Sequence, residues 1–359
     1  MSLPNFDLID LPTQPMTAGY YTLGMIEKYR PDIELIHLGQ WESAVQYNWL
    51  DRRITDALEN KRIACIVPWD EDICWPVNPK LAETVNKYEN ESVYLVTQFS
   101  PEGCKQYQYQ HSIRLKIIEM QWWLLNDCLA FEHLNTGVAS KTKEHKNYLC
   151  MLGRYEPHKY QLGKQLHNYG LGQYGTITVA YPFAYPKDHI EFSQTCPVKL
   201  YPKLNYPLGK TAANTKIGNI WASGNVENYL MLEQEFSNVP LIINPDTSCG
   251  IMQMTEKLLW PILLGKLFLL YGNAGITASI QRFYDMDISK FADTEFDNIV
   301  GWTDEINQQR LNSMINNNRE LIVDCQDLHQ QLKPELENAR FTIGRNLYKF
   351  FVQQLEKIQ

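Results

Sequence analysis

The chain has 359 residues, more than one hydrophobic core usually organises, and 44% hydrophobic with 21% charged residues is a globular balance. A net charge of −8 at pH 7 excludes a broadly basic nucleic-acid coat protein. No window reaches the roughly 18 consecutive apolar residues of a membrane span.

The N-terminus, Met1-Ser2-Leu3-Pro4-Asn5-Phe6-Asp7, has neither a basic n-region nor an apolar h-region. No signal peptide is expected, and a cytoplasmic location follows. The eight cysteines are dispersed without C-x-x-C spacing, several inside apolar runs such as Ile63-Ala64-Cys65-Ile66-Val67, so they read as reduced core thiols.

In the first half, Ile33 to His37 is strand-like, and Asn48 to Glu59 is a helix carrying Leu50, Ile54 and Leu58 on one face. Ile63 to Val67 is a short β-rich run, Leu81 to Tyr88 is helical, Ser92 to Thr97 is a strand, and Ser112 to Leu125 carries a helical pattern. Strands spaced by single helices predict parallel βαβ units and a doubly wound sheet. Residues 135–146 are small and polar, then charged, and mark an interdomain linker.

The second half restarts the rhythm, with strands at Asn147 to Leu152, Gly175 to Ala180, Val239 to Ile243 and Leu267 to Tyr271. Helices are predicted at His158 to Asn168 and Thr255 to Gly265. Residues 181–219, rich in Pro, Tyr and Lys, read as a long irregular insertion. Two amphipathic helices, about Asp304 to Leu332 and Glu335 to Lys357, finish the chain. The expected division is an acceptor-side domain at 1–146, a donor-binding domain at 147–332, and a C-terminal helix at 333–359 packing back on both.

Chemistry concentrates in the run from Met254 to Asn273. An acidic residue opens a short helix, Gly265 ends it, and a buried strand runs out to Gly272. Glu256 thus falls where backbone N–H groups are unpaired and anions bind. There it can accept from vicinal ribose hydroxyls, or simply cap its helix. Thr255 reads as N-cap or phosphate contact, with Lys257 beside it. Pro261 predicts a short or kinked helix. Gly272, Asn273 and Gly275 either let backbone approach a ligand or form a plain turn. Arg154 and Lys159 follow a predicted strand, and cations there either stabilise a departing diphosphate or are solvated surface charges, while His158 either donates to a phosphate or makes an ordinary interdomain hydrogen bond.

The Thr255-Glu256-Lys257…Pro261-Ile262…Gly265…Phe268…Gly272-Asn273-Ala274-Gly275 run resembles the donor-site signature of GT-B glycosyltransferases, in a fucosyltransferase-like variant common in phage and bacterial genomes. Downstream, Phe291-Ala292-Asp293-Thr294-Glu295-Phe296-Asp297-Asn298-Ile299 is similar to an acidic Asp-Glu-x-Tyr-Asp element of those proteins, with Phe296 where Tyr is more usual. Upstream, Leu149 to Arg154 and His158 to Leu162 resemble the strand, basic loop and helix that begin their second domain. Order and lengths are also similar to phage DNA glucosyltransferases. The resemblance covers about residues 147–330 and leaves 181–219 unaligned.

It implies an α/β, GT-B-like fold of two Rossmann-like domains flanking a cleft, with a C-terminal crossover helix. It further implies a hexosyl- or pentosyltransferase using a nucleoside-diphosphate sugar as co-substrate, with no tightly bound cofactor and no metal. The acceptor is then a glycan or a hydroxymethylated base in phage DNA. A DNA acceptor needs base flipping and a basic face, with Arg52, Arg53, Lys61, Arg62, Lys141, Lys143 and Lys146 as candidates.

A catalytic base is expected from the opposite domain at a strand's carboxyl end, where Asp70-Glu71-Asp72 follows Ile63 to Val67. Asp70, then Asp72, are the candidates, against a solvated acidic loop. Glu102, Glu119 and the run Asp293 to Asp297 are reserves. Asp285-Met286-Asp287 mimics a metal-binding pattern but is common by chance. A non-catalytic nucleotide-sugar or glycan binding module with a degenerate GT-B fold is the alternative. A nucleotide-dependent oxidoreductase is disfavoured because no G-x-G-x-x-G follows a strand.

Overall fold

The computed structural model describes residues 20–37, 44–67, 79–98, 101–122, 124–125, 128, 146–153, 157–180, 199–201, 215–217, 220–222, 239–245, 256–301 and 303–359. It is an α/β chain built on two parallel sheets. No helix among the described residues is long and apolar enough to cross a membrane.

The first sheet holds β1 (Ile33–His37), β2 (Ile63–Val67), β3 (Val93–Thr97) and β4 (Lys116–Glu119), all parallel and in that order. Three crossovers carry the chain across it: α2 (Ala44–Glu59), α3 (Pro79–Val85) and α4 (Pro101–His111), with α1 (Tyr20–Tyr29) preceding β1. Right-handed crossovers running one way leave all three helices on one face. The core divides accordingly. Ile36, Ala64, Ile66, Val93 and Leu95 cluster with Leu50, Ile54, Ala82, Val85 and Tyr107 of those helices. The alternate residues Ile33, Leu35, Cys65, Val67, Tyr94 and Val96 join Leu23 and Ile26 of α1 and Leu355 and Ile358 from the far end of the chain. Strands buried on both faces explain why they read as unbroken apolar runs.

The second sheet holds β5 (Tyr148–Gly153), β6 (Gly175–Ala180), β7 (Lys199–Tyr201), β10 (Leu241–Pro245) and β11 (Leu267–Tyr271) in the order β11-β10-β5-β6-β7, again parallel. Numbered along this half alone and read from β7, that is 3-2-1-4-5, the doubly wound order. A hairpin of β8 (Thr215–Ile217) and β9 (Ile220–Ala222) stands apart from both sheets. The helices of this half are α5 (Pro157–Asn168), α6 (Glu256–Leu263), α7 (Ile276–Gln281), α8 (Asp304–Asn317), α9 (Arg319–Val323) and α10 (Gln326–Glu356).

Three expectations are corrected. The helical pattern at 112–125 contains an edge strand, β4, with a helix before it at α4 and helical residues again at Trp122, Leu124 and Leu125. Ser112 stops α4 in a left-handed conformation (φ 52°), and Asn86 brackets the turn, donating to the Ser112 carbonyl at 2.8 Å and accepting from the Arg114 amide at 2.7 Å. Within 181–219, Lys199–Tyr201 is the edge strand of the second sheet and Thr215–Ile217 belongs to the hairpin. Pro197 and Pro202 flank β7, which suits an edge. The two terminal helices are three. Asn318 interrupts the first because its buried side chain accepts from the Asp293 amide at 2.8 Å and donates to the Asp293 and Met314 carbonyls. The last runs 31 residues straight through Pro334. Leu332, Leu336, Ala339, Ile343, Leu347, Phe351 and Leu355, all buried at three- and four-residue spacing, hold it through the lost bond.

The 31-residue helix reaches the first sheet at its far end. Arg30 donates from one guanidinium nitrogen to the Leu355 carbonyl (2.9 Å) and from the other to the Ile358 carbonyl (3.1 Å), oriented by Asp32. Tyr94 donates its hydroxyl to the Gln359 carbonyl at 2.7 Å. Helix-end carbonyls beside a guanidinium are satisfied orphan groups.

Candidate functional site

The 3-2-1-4-5 order creates one switch point, between β5 and β10, where connections leave in opposite directions, and in open α/β sheets ligands bind in the crevice outside the strands' carboxyl ends at such a point. Ile243 of β10 lies opposite Cys150 of β5, so both strands end at the same level. The segment after β5 leads into α5, and the segment after β10 leads into α6. The candidates Arg154, His158 and Lys159, and Thr255, Glu256 and Lys257, therefore fall on the two connections that border the switch point. Arg154 and Thr255 lie outside the described residues. Glu256 and Lys257 open α6, an eight-residue helix containing Pro261, and their side chains lie outside the description.

Pro157 occupies the first position of α5, where its missing N–H costs nothing. His158 and Lys159 follow in the first turn. The His158 ring lies 6.4 Å from the Tyr271 ring, centroid to centroid, which brings it across the end of β10 to the last residue of β11. Lys159 is 2% exposed, so it is no solvated surface charge. Lysines are rarely buried so deeply, and its backbone lies in the first turn of α5, beside the switch point.

The loop after β11, Gly272 to Gly275, is also buried at Gly272 and Asn273 and leads into α7. Gly275 adopts φ +81°, which only glycine takes without strain. The α7 amides are already occupied. One carboxylate oxygen of Asp297 accepts from the Thr277 amide (2.9 Å) and the Ala278 amide (3.3 Å), while the Asp297 carbonyl accepts from Gly275 (2.9 Å). Burial raises the Asp297 pKa, against those amides and Arg310. Arg310, fully buried in α8, donates to the Gly272 carbonyl and, at 3.4 Å, to Asn307 Oδ1.

Sequence reasoning placed Asp297 in the acidic element but missed Arg310. Arg310 shares the buried face of α8 with Leu311, Met314 and Ile315, but its charge keeps it out of an apolar pattern.

Asp70 and Asp72 follow the last residue of β2 but lie outside the described residues. The reserve carboxylates have structural duties. Glu119, at the carboxyl end of β4, is gripped by both terminal nitrogens of Arg282, at 2.5 and 3.1 Å, and by Gln121 at 3.0 Å. Asp285 accepts from Asn346, Asp287 caps the turn at Ser289, and Asp293 accepts from Glu295 and Asn317. The Glu102 side chain is outside the description. Among the described residues, no group of three or more His, Cys, Asp or Glu is placed to hold a metal ion. Of the cations considered for a nucleic-acid face, Arg53 and Arg62 both pair with Glu34 of β1. Lys61 and Arg62 precede β2, at the amino ends of the strands, opposite the carboxyl edge.

No family model matches the chain, and no curated protein does. Among solved structures it is similar to the catalytic domain of starch synthase IV from Arabidopsis thaliana bound to ADP and acarbose, at 12% identity over 94% of this chain and 77% of that one, TM-score 0.45. It is similar also to apo OtsA, at 9% identity over 94% and 76%, TM-score 0.45. AviGT4, a glycosyltransferase involved in avilamycin A biosynthesis, aligns at 10% identity over 84% and 98%, TM-score 0.31. At these scores the likenesses carry no argument, and the fold stands on the strand order.

Proposed function

We propose that the protein is a GT-B glycosyltransferase that moves a sugar from a nucleoside diphosphate to an acceptor hydroxyl, with the donor bound at the carboxyl edge of the second sheet. The observation that carries this reading is the coincidence of two independent things. The sequence signature marks the connections after β5 and β10, and the strand order makes those two connections the border of the switch point. Buried Lys159 then faces the diphosphate, Arg154 stabilises it as it leaves, and Glu256 holds the ribose. The Asp70–Asp72 loop, after β2 of the first sheet, supplies the base, Asp70 before Asp72.

A glycan is the preferred acceptor. The net charge is −8 and two of the arginines available to a DNA face are spent on Glu34.

The test is a thermal-shift panel of UDP, GDP, CDP and ADP, followed by calorimetry and sugar transfer with the best nucleotide. A ligand at ~100 times its dissociation constant adds about 2.7 kcal/mol of stability. Glu256→Ala should weaken that nucleotide by about 1.5–3 kcal/mol, and Asp70→Asn should slow transfer by ~10²–10⁴ with affinity intact. If no nucleotide shifts the wild type, the donor-site reading is wrong. Binding without transfer or donor hydrolysis identifies a non-catalytic module.

A further inference from the structure

We infer that Asp297 and Arg310 are positioning residues that pre-form the Gly272–Gly275 loop, with the Asp297 carboxylate standing as a built-in anion where a phosphate would otherwise be drawn. This rests on the donor-site reading for its functional part. The loop joins β11 to α7 at the edge of the crevice, the place where a strand–glycine–helix turn ordinarily offers free amides to a phosphate. Here those amides are satisfied from within. Asp297 is 4% exposed and accepts from Thr277 and Ala278 with one carboxylate oxygen, and its other oxygen has no hydrogen-bond partner among the described residues. Arg310, 0% exposed, holds the Gly272 carbonyl, and its Nε has no such partner.

A carboxylate and a guanidinium, both taken out of water, are costly to keep. They clamp one loop at its first carbonyl and at the amides just beyond its last residue. The loop is thereby fixed before any ligand arrives, so nucleotide binding spends little on ordering it. The diphosphate then belongs on the Lys159 side of the crevice, not at α7.

The experiment compares wild type, Asp297→Ala and Asp297→Asn, with Arg310→Lys as the conservative change at the other end. Amide hydrogen exchange across 275–278 is read without nucleotide, and affinity for the best of the four diphosphates is read by calorimetry. In Asp297→Ala, protection of the Thr277 and Ala278 amides should fall at least about tenfold, with protection elsewhere unchanged. Nucleotide affinity should fall roughly tenfold as well. Formate at tens of millimolar, refilling the anion position, should restore both. Asp297→Asn, which keeps an acceptor, should retain most of the protection.

Unchanged protection in folded Asp297→Ala overturns the pre-formed loop. Lost protection with unchanged affinity overturns the positioning role. A wild type that binds none of the diphosphates removes the donor-site reading, and with it the positioning role, while the exchange result alone still decides whether the loop is pre-formed. If Asp297→Ala does not fold, Arg310→Lys decides by the exchange and affinity measurements, where protection and affinity both within about twofold of wild type count against the proposal.

Discussion

Removing the Glu119–Arg282 pair should loosen the tie between the two sheets. Glu119 ends β4 of the first sheet, and Arg282 directly follows α7 in the second half. The side chains are 8% and 32% exposed. The guanidinium makes two parallel bonds to the carboxylate, and its carbon lies 4.9 and 5.6 Å from the ring centroids of Phe283 and Phe350. Exposed ion pairs couple by about 0.2–1 kcal/mol, whereas deleting one partner of a fully buried pair costs about 3–5 kcal/mol. One buried partner and one a third exposed place the coupling between these, at about 1.5–3 kcal/mol.

The assay is a double-mutant cycle of Glu119→Gln, Arg282→Gln and the double variant, read by urea unfolding. Glu119→Gln alone should also broaden or split the transition, because the two sheets then unfold less cooperatively. A coupling energy under about 0.5 kcal/mol with all variants folded, and a single sharp transition throughout, would refute the role of this pair as a strut.

Gly175→Ala should destabilise the protein by about 1–3 kcal/mol through overpacking, because a Cβ there would stand 2.4 Å from three atoms of the buried Tyr148 ring. Gly170→Ala, with nothing within 4 Å, should cost only the strain of φ +71°, about 1 kcal/mol; chemical denaturation of both settles the comparison. Arg30→Ala should cost about 1–2 kcal/mol by leaving the Leu355 and Ile358 carbonyls without their charged donor, and a stability equal to wild type would show that water replaces the guanidinium. His329 donates to the Gly265 carbonyl at 3.0 Å, and burial, with Lys266 and Lys333 adding to it, holds it below its ordinary 6.5. The unfolded chain then binds more protons below that value, so this contribution to stability is present above pH 6.5 and lost as pH falls. The difference in Tm between wild type and His329→Asn should shrink from pH 7.5 to pH 5.5, and a constant difference would contradict it.

The doubly buried strands were legible because each is a short β-branched or apolar run bounded by helix-length spacers. Ile33 to His37, Ile63 to Val67, Gly175 to Ala180 and Leu267 to Tyr271 keep the same bounds in the structure. Of the edge strands of the two larger sheets, β1 and β11 were legible, but the short β4 and β7 were not. Lys116–Glu119 and Lys199–Tyr201 are four and three residues long, and half of each pattern belongs to a neighbour rather than to the strand itself. Of the candidate site, the connections could be read, because helix starts carry Pro, Thr and acidic residues. The support beneath them could not. That Asp297 reaches α7 and Arg310 reaches Gly272 depends on contacts separated by 19 to 38 residues, which no local period encodes.

The docking of residues 355–359 on the first sheet has a consequence for synthesis. Strands β1 to β4 are finished within the first 119 residues, yet one of their faces receives Leu355 and Ile358. During translation at ≈ 5–20 residues/s that face, lined on one part by Leu23 and Ile26 of α1, waits through 236 further residues, from 119 to 355, about 12–50 s for the rest of its apolar cover. The half that emerges first from the ribosome is thus the last to be completed. It is the natural client for a holding chaperone, and the segment through which truncated chains should aggregate.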